Sequence, residues 1–247
     1  MTRTFKSLGF LSPDLDMLRH TERDRLAAEF ANLEHTMSVA IEECRQVSGV
    51  TSENYFVGAA FWLRCIESCQ ATVLLGERGL STTSYATLRT AFECLFAACA
   101  LWRDPAVADR MEAWHHKERI KQAKGMLAAG AETRVSPAEL AALKAVSGEV
   151  SPPCDWSHQA AANIAELRFE YETAYRGLGL AGAHATPRSL DDYHVVQPDD
   201  SLTLRFEPTT NRLEWVLGLV NTCLVCGIQR HREALGNSGA RPVTGLQ

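Results

Sequence analysis

Residues 57–69 read VGAAFWLRCIESC and residues 85–102 read YATLRTAFECLFAACALW. Both runs are apolar nearly all round at a helical period, the pattern of helices buried on several sides. Each carries a basic and an acidic residue near its middle, Arg64 with Glu67 and Arg89 with Glu93. Spacings of three and four put each pair on one side of its helix. Between them, Gly79 ends the first helix, expected over 53–78, and Ser81 or Thr82 caps the next.

Outward from this pair the same period continues. Leu26, Phe30, Leu33, Met37, Ile41 and Cys44 mark an amphipathic helix from about 20 to 48. Asp104-Pro105 separates the third helix from a fourth that runs to about Ala129, and Ser136-Pro137 opens a weaker one. A long segment from Ser157 to Leu178 and a final helix over 211–235 follow. Alternation in His194–Gln197 and Leu202–Phe206 around Pro198-Asp199-Asp200 points to a small β-hairpin near 194–206. The expectation is an all-α, single-domain helical bundle of about six to seven helices. It comprises an N-terminal arm (1–19), a helical domain (20–235) and a flexible tail (236–247).

The chain has 247 residues, 25 basic and 30 acidic side chains and a formal net charge of −5. At 46% hydrophobic and 22% charged it is too apolar to be disordered, and its mild acidity argues against a general nucleic-acid coat. No apolar stretch reaches the ~20 residues a membrane-spanning helix needs, and no signal peptide is evident. With eight cysteines, seven of them in predicted helices, the expected compartment is the reducing cytoplasm.

Charges inside apolar helices are the informative feature. With the turn centred near Leu80, Glu67 and Glu93 lie at one height in an antiparallel hairpin, and His115 of the fourth helix lies level with Glu93. Two readings stand. Arg64, Glu67, Arg89 and Glu93, with His115, line a polar pocket for a charged ligand; alternatively they form a purely structural network that fixes helix register in a non-enzymatic interaction module. Neither decides whether the protein is an enzyme.

Several motifs carry less. Glu112-Ala-Trp-His115 has the E-x-x-H spacing of a di-iron bundle, but no second copy exists. Gly177-Leu-Gly-Leu-Ala-Gly182 matches a dinucleotide fingerprint without the strand and following helix it requires. Cys65, Cys69, Cys223 and Cys226 fall inside apolar helical runs, where cysteine behaves as a small hydrophobe. No metal and no cofactor is expected. Cys154, beside Pro152-Pro153, is the one expected to meet thiol reagents. Tyr171, Tyr175-Arg176 and His184 form a further group: an arginine and a histidine near a helix end can bind a phosphate and move a proton.

The stretch RCIESCQATVLLGERGLSTTSYATLRTAFECLFAACALWRDP (64–105) resembles a bacterial helical family catalogued as domain of unknown function 5677, over about 55–195. Its recurrent features fall here on Arg64, Gly79, Arg89, Glu93, Trp156, Tyr171, Tyr175 and His184. The family's usual serine before that histidine is replaced by Gly179-Leu-Ala-Gly-Ala. More distantly the chain is similar to the higher eukaryotes and prokaryotes nucleotide-binding (HEPN-like) superfamily, many of whose members cut RNA. That superfamily separates its arginine and histidine by four to six residues; seven separate Arg176 from His184. The arginine–histidine likeness implies Arg176 and His184 as catalytic residues, while the charge pattern gives Arg64, Glu67, Arg89, Glu93, Tyr175 and His115 as the expected ligand-binding ones; a small anion or RNA is the expected partner, with a homodimer left open as the assembly.

Overall fold

A computed structural model of the chain describes residues 4–45, 47–48, 52–238 and 241–242. The centre of the molecule is the antiparallel hairpin expected from the sequence. Helix α4 (Glu53–Gly76) packs along α5 (Ser81–Arg103), which is the most buried element of the fold. Before them come α1 (Phe5–Leu8), α2 (Leu15–Arg25) and α3 (Ala27–Arg45). After them come α6 (Val107–Ala128), α7 (Pro137–Ser147) and α8 (His158–Ile164), then α9 (Arg168–Glu170), α10 (Arg176–Leu178) and α11 (Leu213–Ser238).

Helix α11 seats a stripe of Val216, Leu217, Val220, Cys223, Leu224 and Ile228 against α3, α4 and α5. On another side of α5 lie α8 and the helix that follows it. The hairpin β2 (His194–Val196) and β3 (Leu202–Leu204) pairs antiparallel, His194 opposite Leu204, as the alternation predicts. A second, two-residue pair joins β1 (Val47–Ser48) to β4 (Arg241–Pro242).

Among the described residues, eleven α-helical segments replace the expected six to seven. The difference has local causes. The helix expected over 20–48 begins at Leu15 and breaks at Leu26, whose backbone leaves the helical region (φ −113°, ψ 35°). The segment expected over 157–178 breaks at Glu166, which takes a left-handed φ of 56°. From Arg168 the chain then stays helical to Ala183, through the glycines expected to end it. The tail expected at 236–247 lies mostly outside the described residues.

Caps act largely as the sequence implies. Ser52 accepts from the Tyr55 amide, Ser157 from Ala160, and Ser136 forms a reciprocal box with Glu139 behind Pro137. Neither Ser81 nor Thr82 caps α5. The Ser81 hydroxyl donates instead to the Thr209 carbonyl at 2.6 Å, tying the start of α5 to the segment before α11. The α4–α5 turn needs Gly79: its φ is 79°, and a Cβ there would run into Pro208.

The same turn anchors the N-terminal helices. Glu77 is fully buried (0% exposed) and receives Arg23 Nε at 2.6 Å and Arg19 Nε at 3.0 Å from α2. Arg78 reaches Asp16 at 2.7 Å beside it. A buried carboxylate with two guanidinium partners holds α2 in one register, because losing either partner leaves charge stranded in the core.

Candidate functional site

The site is built where α5 meets the helix 168–183. That helix is wound wide twice, over Tyr171–Tyr175 and over Gly179–Ala183, with turns that close five residues back; the Arg176 amide donates to the Tyr171 carbonyl. Wide turns of this kind insert an extra residue and re-aim the side chains beyond them. Here they leave Tyr171 and Tyr175 stacked, ring centroids 5.0 Å apart. Small residues let this helix approach α5: a Cβ on Gly182 would run into the Thr82 carbonyl oxygen, and one on Gly179 would press on the Arg89 guanidinium. Gly179 and Gly182, part of the pattern that lacks the strand and helix of a dinucleotide loop, are thus a packing surface inside a helix.

His184 is the first residue past the helix, in extended conformation (φ −119°, ψ 147°). Its position is set by the turn that follows. The Thr186 hydroxyl donates to the Leu180 carbonyl at 2.8 Å, filling an acceptor the helix end leaves open, and Thr186 then boxes with Ser189 behind Pro187.

Arg89 is the hub. Its Nη2 donates to the Tyr175 hydroxyl at 2.6 Å, and its Nη1 lies 2.6 Å from His184 Nε2. Its guanidinium carbon sits 4.5 Å over the Tyr175 ring. The Tyr175 hydroxyl in turn donates a hydrogen bond to Glu93 Oε1 at 3.0 Å. Arg89 Nε is 3.4 Å from the same oxygen but makes no hydrogen bond, although it is buried. A guanidinium has no lone pair to offer, so Nε2 of His184 is the acceptor and its ring proton sits on Nδ1.

Burial pushes the Tyr175 hydroxyl above its ordinary range; the Arg89 hydrogen bond opposes this and the Glu93 charge adds to it. Tyr175 therefore stays a protonated donor to Glu93. His158, at the capped start of α8, places Nε2 3.7 Å from Glu93 Oε1. Burial pulls its basicity below the usual histidine value, Glu93 opposes that and Arg89 adds to it. At that distance and with that shift, the contact is a neutral ring beside a carboxylate rather than an ion pair.

Arg89, Tyr171, Tyr175, Arg176, Gly179 and His184 line one open cleft of about 280 Å³. Its floor is Arg89 and Tyr175, and its rim carries Arg176, exposed and held by Glu172 at 2.9 Å. Two cations, a histidine and an aromatic wall thus face one space, with Glu93 beneath.

Of the expected ligand-binding set, Arg89, Glu93 and Tyr175 come together, and the expected catalytic pair, Arg176 and His184, share their cleft. Arg64, Glu67 and His115 do not join it. Arg64 and Glu67 are exposed on α4, whose core face is Trp62, Cys65, Ile66 and Cys69 instead. His115 and Glu112 are likewise exposed on α6. Height along a bundle follows from residue count, but azimuth follows from which stripe is most apolar, and that stripe turns these side chains outward. Tyr171, grouped with Tyr175, Arg176 and His184 in the sequence, lines the cleft; His158 lies beside Glu93 and was not among the expected site residues. The available signal for His158 was its place behind the Ser157 cap, next to Trp156 of the family pattern.

Residues 55–202 match the Family of unknown function (DUF5677). The chain belongs to this family. The matched span of the DUF5677 chain holds every cleft residue named here, whereas α2, α3 and α11 lie outside it. No curated protein and no solved structure matches the chain. Among the described residues, no helix is long and apolar enough to cross a membrane.

Proposed function

We propose that the cleft between α5 and the helix 168–183 binds a phosphate-bearing ligand. The observation that carries this is the convergence of Arg89, Arg176 and His184 on one open space walled by Tyr171. Arg89 uses one N–H of each terminal nitrogen on Tyr175 and His184 and keeps a second on each for an incoming anion. Tyr171, stacked on Tyr175, offers a flat face to a base. Titrating the purified protein with a fluorescent oligouridylate tests this. Binding that weakens with salt, and weakens at least tenfold in Arg176→Ala, is expected; binding indifferent to both overturns it.

RNA cleavage is the stronger version, favoured by His184 and Arg176 facing the same cleft. A phosphate that met those spare N–H groups and drew the guanidinium off the ring would release His184 Nε2 from its donor, leaving a lone pair able to accept the 2′-hydroxyl proton. Arg176 and Arg89 would steady the charge that develops on the phosphorus oxygens. Incubation of the protein with mixed RNA, beside His184→Ala, checks this step: cleavage lost in the variant is expected, and unchanged cleavage sinks it.

The competing account, a non-enzymatic interaction module, treats Arg89, Glu93 and Tyr175 as a clasp that only fixes helix register. It is separated from the ligand reading by the Arg89→Met/Glu93→Leu protein, which under both accounts folds. Under the ligand reading that protein no longer binds the oligouridylate.

A further inference from the structure

A second group of chemically capable side chains lies in the core, far from any role in the cleft. Helix α4 sets Cys65 and Cys69 one turn apart on its buried face, and α11 brings Cys223 against them. Each is 0% exposed. The three sulfurs all lie within 4.8 Å of one another, with Cys65 Sγ 3.6 Å from Cys223 Sγ. The sequence placed these residues in apolar helical runs as separate small hydrophobes; the fold instead gathers three and leaves Cys226, one turn on, at the edge.

We propose that Cys65, Cys69 and Cys223 form a buried three-sulfur site for a trivalent thiophilic metalloid, for which arsenite is the probe. The donor set contains sulfur alone, without imidazole or carboxylate, and so selects soft centres. With bonds to sulfur of ~2.3 Å and the pyramidal angles of a trivalent centre that carries a lone pair, three sulfurs stand roughly 3.5 Å apart, close to the 3.6 Å between Cys65 and Cys223 and a short move for Cys69.

Charge decides among soft ions. Three thiolates around a monovalent ion leave two negative charges, and around a divalent ion one, in a dry core where uncompensated charge is costly. Around a trivalent centre they leave none. The exchange balances without any oxidant: As(OH)₃ and three thiols give As(SR)₃ and three waters. Three As–O bonds become three As–S bonds, each thiol proton departs with a hydroxide, and arsenic remains in its +3 state.

Because all three sulfurs are shielded, binding waits on α11 opening from α4, and the bound centre then clamps those helices together.

The experiment uses the reduced full chain with sodium arsenite. Native mass spectrometry is expected to read one arsenic with three protons lost per chain, X-ray absorption to count three sulfurs at arsenic, and the melting temperature to rise. The adduct should persist in a Cys44→Ala/Cys154→Ala/Cys226→Ala protein and vanish in Cys223→Ala. No adduct, two sulfurs at arsenic, an adduct retained in Cys223→Ala, or a melting temperature unchanged or lowered overturns the proposal. Should Cys223→Ala fail to fold by circular dichroism, the sulfur count on the unaltered chain decides it alone.

Discussion

Arg89 Nη1 stands 2.6 Å from His184 Nε2, ninety-five residues away in sequence, and this pair fixes which nitrogen of the histidine carries its proton. The contact exists because Gly179 and Gly182 let a helix end settle onto α5, and because Thr186 turns the chain at once. In the proposed binding mode, an anion that claimed the guanidinium would free that histidine lone pair through the loss of one hydrogen bond, without a large motion.

That relationship gives the first prediction. Nitrogen-detected NMR of the free protein should show His184 as the Nδ1–H tautomer. In Arg89→Met the tautomer preference should relax toward the mixture of an exposed imidazole. Retention of Nδ1–H in the variant would show that Arg89 does not set it.

Arg89 and Glu93 also tie α5 to Tyr175. Hydrogen bonds to charged groups contribute about 1.5–3 kcal/mol each, and Arg89→Met removes the one from Arg89 to the Tyr175 hydroxyl. Arg89→Met should therefore cost ~2 kcal/mol in urea unfolding. The Arg89→Met/Glu93→Leu protein should be more stable than the sum of the single changes predicts, by ~1–2 kcal/mol. Strict additivity would mean that the two residues do not act as a unit.

The α4–α5 hairpin was legible because its apolar residues leave no other place for it than the core, and Arg89 and Glu93 stood out there. Arg64 and Glu67 looked equivalent and are not. An all-round apolar helix has no strong moment to announce its outward side, so the direction is set by what α5 and α11 present to it. The wide turns at 171–175 and 179–183 were invisible for another reason: glycines ordinarily stop a helix, and here tertiary contact with Thr82 and Arg89 keeps it going. His158 was missed because nothing local marks a histidine at a helix start as facing a glutamate sixty-five residues earlier.

Glu77 provides a test of the N-terminal clamp. Replacing Arg19 and Arg23 together with Met leaves a fully buried carboxylate without either partner and should cost ~3–5 kcal/mol. Adding Glu77→Leu should recover a substantial part, since the stranded charge is gone. Urea midpoints of the two proteins measure this, and no recovery in the triple variant would place the loss in Arg side-chain packing rather than charge.

The last prediction concerns pH. His231 is buried at 1% exposure, its Nε2 accepting from the Tyr55 hydroxyl at 2.9 Å and its Nδ1 3.9 Å from Glu43, which Arg232 also holds. Burial lowers its pKa; the Glu43 charge opposes that and Arg232 adds to it. Burial pushes the Tyr55 hydroxyl up to about 12, so Tyr55 remains the donor. His158 is lowered in the same direction, chiefly by burial. For both, the unfolded chain binds a proton more readily than the fold does. Their contribution is complete above the unfolded value of ~6.5 and is lost as pH falls below it toward the folded values, by at most about 1.4 kcal/mol per pH unit for His231 and by less for His158, whose side chain is 41% exposed and screened by water. Urea midpoints should thus drop between pH 7.5 and pH 5.5. In His231→Phe, whose stability at pH 7.5 is lower because Tyr55 loses its acceptor, the drop should be smaller, with the remaining slope assigned to His158. An equal drop in both proteins would show that His231 takes up its proton without opening the α3–α4–α11 core.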